Sequence, residues 1–397
     1  MKEVSPKIPI LSVFFFDQFA FAVILPLFAH VILRSIHEIV PRSTSLENKF
    51  FILGTLLAVF AVFQFLGTPL LQKIAALKGE KKTLVLTLSC LSLGSFFTAW
   101  SLYTANIYLL FISRAITGFF TANKSICLES LKTTWKPLQN HLKALTTIEG
   151  ISFTIAVLLG GFFSDASISH HFFISLPLWV TFVYCLLNLL AILLSGGKTK
   201  ILSKKYTSFS YLVPFKALLS PSIIHFFLIL SWITMLQFNS AFLIEKFNAS
   251  LLHITFSYVI VGVLWTVSSR MTYSYLSKQR NLKPLLSVGF FLLFVCMLIC
   301  FFSFNFIFYL IFLFLASILS AVLWPSSLTA IQDLSRKNTQ KFHQPLKSLA
   351  LFIGPLVVMF LMYRNSNYLH LSTSSSALLG FFMIFVFLKP QKKAVKT

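Results

Sequence analysis

Residues 284–302 read PLLSVGFFLLFVCMLICFF, a run without a charged side chain. A helix needs about 20 such residues to cross the hydrocarbon core of a bilayer. The chain holds eleven further predominantly apolar runs of span length. These begin near Ile8, Phe50, Thr83, Ile107, Ala144, His171, Leu218, Ile254, Phe306, Leu346 and Leu371. The sequence therefore predicts an all-α integral membrane protein with twelve transmembrane helices.

The composition of the chain fits a lipid environment. Of its 397 residues, 57% are apolar and 11% are charged, and the mean hydropathy is +0.85. Soluble domains carry about 25% charged residues. A chain this apolar would expose more hydrophobic surface to water than soluble monomers tolerate. We therefore exclude a cytosolic enzyme, a secreted disulfide scaffold and a disordered tail.

The basic residues are distributed unevenly between the apolar runs. A net charge of +23 would indicate nucleic acid in a soluble protein. With the N-terminus inside the cell, however, 25 of the 33 Lys and Arg residues fall in cytoplasmic segments and five fall on the other side. Short loops rich in Lys and Arg stay in the cytoplasm. We therefore expect both termini to be cytoplasmic, in a plasma or inner membrane, with no nucleic-acid partner.

The longest basic connection, residues 196–217, lies between the sixth and seventh apolar runs. It divides the chain into an N-terminal six-helix bundle (1–195) and a C-terminal six-helix bundle (218–397) that ends in a short basic tail. Two such bundles are typical of secondary transporters, which rock about a central site. A channel or a membrane enzyme with the same number of helices stays possible at this point.

Three sequence motifs resemble those of the major facilitator superfamily. Residues 17–26, DQFAFAVILP, are similar to the start of its first helix, and residues 114–118, RAITG, are similar to its Arg-x-x-x-Gly motif. Residues 67–82, GTPLLQKIAALKGEKK, are similar to its hallmark loop. The residues that carry these last two matches are Gly67, Gly79, Lys81, Lys82 and Gly118. The resemblance is to the twelve-span drug:proton antiporters, the branch of tetracycline and multidrug exporters.

The chain departs from the family pattern at several positions. Ala76 replaces the Asp of the hallmark loop, and Glu80 replaces its first basic residue. In the fifth run, only Gly160 and Gly161 match the antiporter glycine motif. The lost Asp is thought to latch the two bundles together in the family, so this latch is in doubt.

The resemblance implies proton-coupled export of a small amphipathic compound by alternating access. Proton-coupled uptake of a nutrient or metabolite is an alternative, as is a scaffold or sensor that has lost transport. The sequence contains no nucleotide-binding or hydrolase motif. We therefore expect a non-enzymatic, monomeric protein without a cofactor, whose partners are a small-molecule substrate, protons and the lipid bilayer.

Asp17 and Arg114 are the ionisable residues that we expect to carry proton coupling. A charged group about ten residues into an apolar span costs roughly 2.5–3.5 kcal/mol on insertion scales, so it needs a partner or a wet cavity. Arg114 lies at a compatible depth for an ion pair with Asp17. The alternative is a permanent pair that only fixes helix packing.

A second group of charges lies near one end of the fourth and fifth runs. Lys124, Glu129 and Glu149 form either a gating network or a simple edge cluster. Gly160 and Gly161 allow close helix approach or bend the fifth helix.

Aromatic residues are candidates for the substrate cavity. Phe14, Phe15, Phe21 and Trp232 offer faces for flat or cationic guests. Only His170 and His171 are adjacent among the nine His, and the five Cys include no CxxC pair. We therefore expect neither a metal site nor a disulfide.

Overall fold

The computed structural model describes residues 7–134, 139–195, 221–276, 282–335 and 340–388. These residues form α-helices and one short 3-10 helix (Ile36–Glu38), with no strand. The α-helices are α1 (Lys7–Ala22), α2 (Leu27–Leu33), α3 (Leu46–Lys78), α4 (Glu80–Tyr103), α5 (Ile107–Phe120), α6 (Asn123–Thr134), α7 (Gln139–Phe162), α8 (Leu176–Leu194), α9 (Ser222–Phe247), α10 (Leu251–Leu276), α11 (Lys283–Phe302), α12 (Phe306–Ser335), α13 (Gln340–Arg364) and α14 (Tyr368–Phe387). The all-helical membrane fold is confirmed.

Two of the twelve predicted spans consist of two helices each. The first is divided between α1 and α2 at residues 23–26, where Pro26 cannot donate a backbone hydrogen bond. The fourth is divided between α5 and α6, where the N–H of Thr121 turns back to the carbonyl of Gly118. Hydropathy misses such interruptions because the residues within them are as uncharged as those of a helix.

Some predicted boundaries move. The sixth span begins at Leu176 rather than near His171, because residues 165–173 form a series of turns. The eleventh begins by Gln340 rather than near Leu346, which brings Lys347 into α13. The predicted linker (196–217) and basic tail (389–397) lie outside the described residues.

The helices of residues 7–194 pack mainly with one another, as do those of residues 222–387. The two groups are called here the N-half and the C-half. They meet where α7 packs on α10, where α3 packs on α13 and where α2 packs on α9. The space between the halves is therefore enclosed by helices from both.

Two glycines allow α3 and α5 to cross at backbone contact. A Cβ on Gly67 would meet the backbone of Phe119, and a Cβ on Gly118 would meet the backbone of Phe60. Small residues are used in this way between membrane helices. The close crossing fixes the position of Arg114 of α5 relative to α3.

Polar contacts join the two halves at both ends. We call the side where α1 begins the terminal side. On the opposite side, Arg34 donates a hydrogen bond to Asn248. The hydroxyl of Ser240 donates to the carbonyl of Leu25 at 2.8 Å. Near the terminal side, Lys143 of α7 donates to Ser274 of α10 at 2.6 Å.

Candidate functional site

A cavity of about 600 Å³, including the space at its opening, lies between the N-half and the C-half. Its lining comes from α1, α6 and α7 on one side and from α9, α10, α12 and α13 on the other: Gln18, Phe21, Lys124, Glu149, Gly150, Phe153, Trp232, Ile233, Leu236, Val261, Gly262, Trp265, Trp324 and Lys347. We call it the central cavity.

Three tryptophans of the C-half form an aromatic wall of the central cavity. Trp265 and Trp324 meet edge to face with ring centroids 6.3 Å apart. Trp324 also packs on His225 at 5.0 Å, and His225 shares a 2.8 Å hydrogen bond with Ser327. Trp232 completes the wall. This packing holds the ring of Trp324 in place.

The indole nitrogen of Trp265 has no hydrogen-bond partner among the described residues, although it is buried. Buried polar groups are normally hydrogen-bonded. Trp265 lines the central cavity. Its N–H is therefore a buried donor beside the cavity that no described residue satisfies.

The charged residues of the central cavity come from both halves. Lys124 and Glu149 form an ion pair between α6 and α7. The ammonium of Lys124 also lies 5.5 Å from the ring centre of Phe14. Lys347 enters from α13 and interacts electrostatically with Glu149, Lys124 and Asp17. The cavity thus has an aromatic wall and an ionic region.

Asp17 lines a second, smaller cavity within the N-half. Its carboxylate lies beside the backbone N–H of Lys124 and the side chain of Asn123, at the start of α6. The hydroxyl of Thr87 donates to the amide oxygen of Asn123 at 2.6 Å. The first turn of a helix stabilises negative charge. The break between α5 and α6 therefore places a favourable environment next to the carboxylate of Asp17.

Arg114 lines the same smaller cavity and is only 5% exposed. Its guanidinium lies 4.2 Å from the ring centre of Phe60 and 5.4 Å from that of Phe28. Its Nε has no hydrogen-bond partner, and the described residues show no ion pair between Arg114 and Asp17. The two residues share a cavity, but the charged residues with which Asp17 interacts in the described part of the chain are Lys124 and Lys347.

Gly79, Lys81 and Lys82 of the hallmark loop have different structural environments. Gly79 has a φ of 88°, between the end of α3 and the start of α4, which favours glycine. Lys81 donates to the carbonyls of Leu193 at 3.2 Å and Ser195 at 2.5 Å, at the end of α8. Lys82 is exposed.

The glycines of α7 lie at two different contacts. A Cβ on Gly160 would meet the carbonyl of Val23 in the break between α1 and α2. A Cβ on Gly161 would meet Thr255 of α10, across the boundary between the halves. Both glycines lie where neighbouring chains approach closely.

The remaining candidates lie at different distances from the central cavity. Phe21 and Trp232 line it. Phe14 is buried in the core of the N-half, and Phe15 packs on Phe19 and Tyr184. The side chain of Glu129 lies outside the described part of the structure.

Lys347, Trp265 and Trp324 were not singled out from the sequence. Lys347 follows a polar stretch at the start of the eleventh apolar run, so hydropathy alone assigns it to the preceding loop. A helix that begins earlier than its apolar run brings such a residue to cavity depth. A Trp within each of the eighth and tenth spans is a usable signal for the aromatic wall.

The sequence of this chain is similar to known membrane transport proteins. The family model described as Major Facilitator Superfamily matches residues 10–355. A tetracycline resistance protein, class H, of Pasteurella multocida is 28% identical over 116 residues, which cover 29% of this chain and 28% of that protein. The match thus spans less than a third of the relative's length.

Solved structures show the same fold. The human organic anion transporter MFSD10 (TETRAN) superposes with a TM-score of 0.70 at 18% identity, over 96% of this chain and 100% of that one. A D-xylose-proton symporter gives a TM-score of 0.70 at 15% identity, with coverages of 96% and 98%. The nucleoside transporter NupG gives 0.68 at 11% identity, with coverages of 98% and 100%.

Proposed function

The chain belongs to the major facilitator superfamily, and on that premise we propose that it is a proton-coupled secondary transporter of a small amphipathic compound. As a member of this family it is a multi-pass membrane transporter of a small molecule and not an enzyme. Proton coupling, transport direction and substrate chemistry are the parts that we propose. The central cavity, with its aromatic wall and ionic region, is the observation that carries the proposal.

Alternating access is supported by the contacts between the halves. Arg34–Asn248 and Ser240–Leu25 join them on the opposite side, and Lys143–Ser274 joins them near the terminal side. Each of these hydrogen bonds breaks at modest cost, whereas the packing of α7 on α10 and of α3 on α13 holds the halves together around the cavity. We propose that the 196–217 segment links two six-helix bundles that rock about the cavity, with both termini cytoplasmic and the protein monomeric.

We assign the transported proton to Asp17. A carboxylate within a span is a functional group by default, and Asp17 interacts electrostatically with Lys124 and Lys347. Lys347 belongs to the C-half, so rocking of the halves changes the charge next to Asp17. Arg114 then acts on Asp17 through the cavity they share rather than through a direct pair.

Export in exchange for protons is our first candidate for the direction. The match to a tetracycline resistance protein supports it. Uptake together with protons is the second candidate, and the loss of the antiporter glycine pattern before Gly160 favours it. A scaffold without transport is a third reading, which rests on Ala76 in the hallmark loop.

Dye accumulation in an efflux-deficient bacterium tests the proposal. Cells expressing wild type, Asp17→Asn or Glu47→Gln are loaded with ethidium, a cation, or fluorescein, an anion, with and without an uncoupler. Glu47 is an exposed acid at the start of α3 and is the matched control. We expect a change in accumulation of one dye that the uncoupler and Asp17→Asn abolish and Glu47→Gln retains.

Accumulation below that of empty cells identifies export, and accumulation above it identifies uptake. A change that survives both the uncoupler and Asp17→Asn would contradict proton coupling. Accumulation equal to that of empty cells for both dyes, with membrane expression confirmed, would contradict transport of amphipathic compounds and favour the scaffold.

A further inference from the structure

Among the described residues, one cation at the central cavity forms no ion pair with a carboxylate. Of its charged lining residues, Lys124 and Glu149 neutralise each other in an ion pair. Lys347 has no carboxylate within 4 Å among the described residues. It interacts with Asp17 and Glu149 only at longer range. The ionic region therefore presents an unpaired ammonium to the cavity.

The negative charge of Asp17 is stabilised from another direction. Its carboxylate lies beside the backbone N–H of Lys124, in the first turn of α6. A helix N-terminus carries partial positive charge. Asp17 also lines the smaller cavity and not the central one. The carboxylate is thus stabilised at the start of α6, and among the described residues it forms no ion pair with Lys347.

The rest of the lining suits an aromatic body with a polar group. Trp232, Trp265 and Trp324 offer ring faces and edges on one side. The N–H of Trp265 is a buried donor without a partner. The ammonium of Lys347 at the cavity favours an acceptor-rich, negatively charged group over a cation.

We propose that the central cavity takes an amphipathic organic anion, an aromatic or apolar body with one carboxylate or a similar group. Lys347 pairs with the anionic group, and the three tryptophans pack on the body. This inference rests on the proposed function and names its substrate class. Lys347 is then a residue that determines specificity.

The charge balance links this substrate to the proton. With Asp17 ionised, Asp17 and Glu149 balance Lys124 and Lys347, whereas protonation of Asp17 leaves the group with one net positive charge. Among the described residues, the thiols of Cys127 and Cys185 are the other titratable groups that interact with Asp17. An anion therefore binds more tightly to the protonated protein, which for this substrate class supports the second candidate for the direction, uptake together with protons, over exchange.

Matched ligands on the purified full-length protein test the inference. Naphthoate, naphthamide and naphthylmethylammonium share an aromatic body and differ in charge. A ligand that binds the folded state raises the thermal unfolding midpoint. We expect naphthoate to raise the midpoint most in wild type, and Lys347→Gln to weaken naphthoate binding about tenfold. Lys347→Arg retains naphthoate binding, and Lys73→Gln, at an exposed lysine of α3, does not alter it.

Three outcomes would overturn the inference. These are an equal effect of all three ligands, a preference for the ammonium, and no response to naphthoate. Loss of naphthoate binding in Lys347→Gln together with equal loss of naphthamide binding would indicate damage to the fold instead of charge recognition. Proton-driven dye transport that persists alongside any of these results would overturn the anion and leave the proposed function standing.

Discussion

Lys124 of α6 and Glu149 of α7 form an ion pair inside the N-half, with side chains only 11% and 16% exposed. Removing one partner of a buried pair leaves an uncompensated charge, which is more costly than losing the pair itself. Both side chains also line the central cavity. Single and double variants of the two residues therefore separate the contribution of the ion pair to stability from its contribution to transport.

Glu149→Gln leaves Lys124 without its partner, and we expect it to destabilise the protein by about 3 kcal/mol. The double variant Lys124→Gln/Glu149→Gln removes both charges and recovers about 1 kcal/mol or more of this loss. Reversible unfolding in detergent measures both. Strictly additive effects of the two single changes would show that the ion pair contributes nothing to stability.

The crossing of α3 and α5 predicts that Gly67→Ala and Gly118→Ala are each destabilising by about 1–3 kcal/mol, since backbone atoms must move apart. Gly289→Ala is the matched control. Its added Cβ would meet only the side chain of Leu323, with the nearest atom, Cδ2, at 2.7 Å. Unfolding midpoints of the three variants test this, and an equal loss in all three would count against a backbone crossing.

The hydrogen bond between Arg34 and Asn248 joins the halves on the opposite side, so we expect its loss to favour the state that is open on that side. Arg34→Ala removes a hydrogen bond between the halves worth about 1 kcal/mol, a factor of about five. A cysteine placed at Ala241, which is fully buried in α9, should then react faster with a reagent added from the opposite side. The assay needs a background without the five native cysteines. An unchanged labelling rate would show that this contact does not hold that side closed.

Lys81 and Lys82 are neighbours with different surroundings. Lys81→Gln removes a cation from the last carbonyls of α8 and should lower stability by about 0.5–1 kcal/mol without changing the substrate KM. Lys82→Gln, at an exposed position, should change neither. Transport kinetics and unfolding on the same samples distinguish these outcomes. A KM effect from Lys81→Gln would restore a gating role for the loop.

The helical fold was predictable because apolar runs of span length leave few alternatives in a bilayer. The breaks at Pro26 and Thr121 were not, since hydropathy does not register the loss of a few backbone hydrogen bonds. Asp17 was identifiable as an ionisable residue within a span. Its partners were not, because Lys124 comes from a broken helix and Lys347 from the other half.

The expected approach of Asp17 to Arg114 illustrates the limit of depth as a guide. Both residues lie at similar depth and line one cavity, yet the guanidinium faces Phe60 and Phe28. Cation-π contacts of this kind compensate part of the cost of burial. Residue depth follows from the sequence, whereas the rotation of a helix about its axis depends on packing with its neighbours.

The aromatic wall gives the protein an intrinsic optical reporter. Three of its six tryptophans, Trp232, Trp265 and Trp324, surround the space where a substrate would bind. Their emission should shift to shorter wavelength when a guest displaces water and to longer wavelength when the space floods. Each step of the transport cycle is then observable on the unlabelled protein in real time. Emission that stays constant while a bound ligand saturates would show that binding occurs away from this wall.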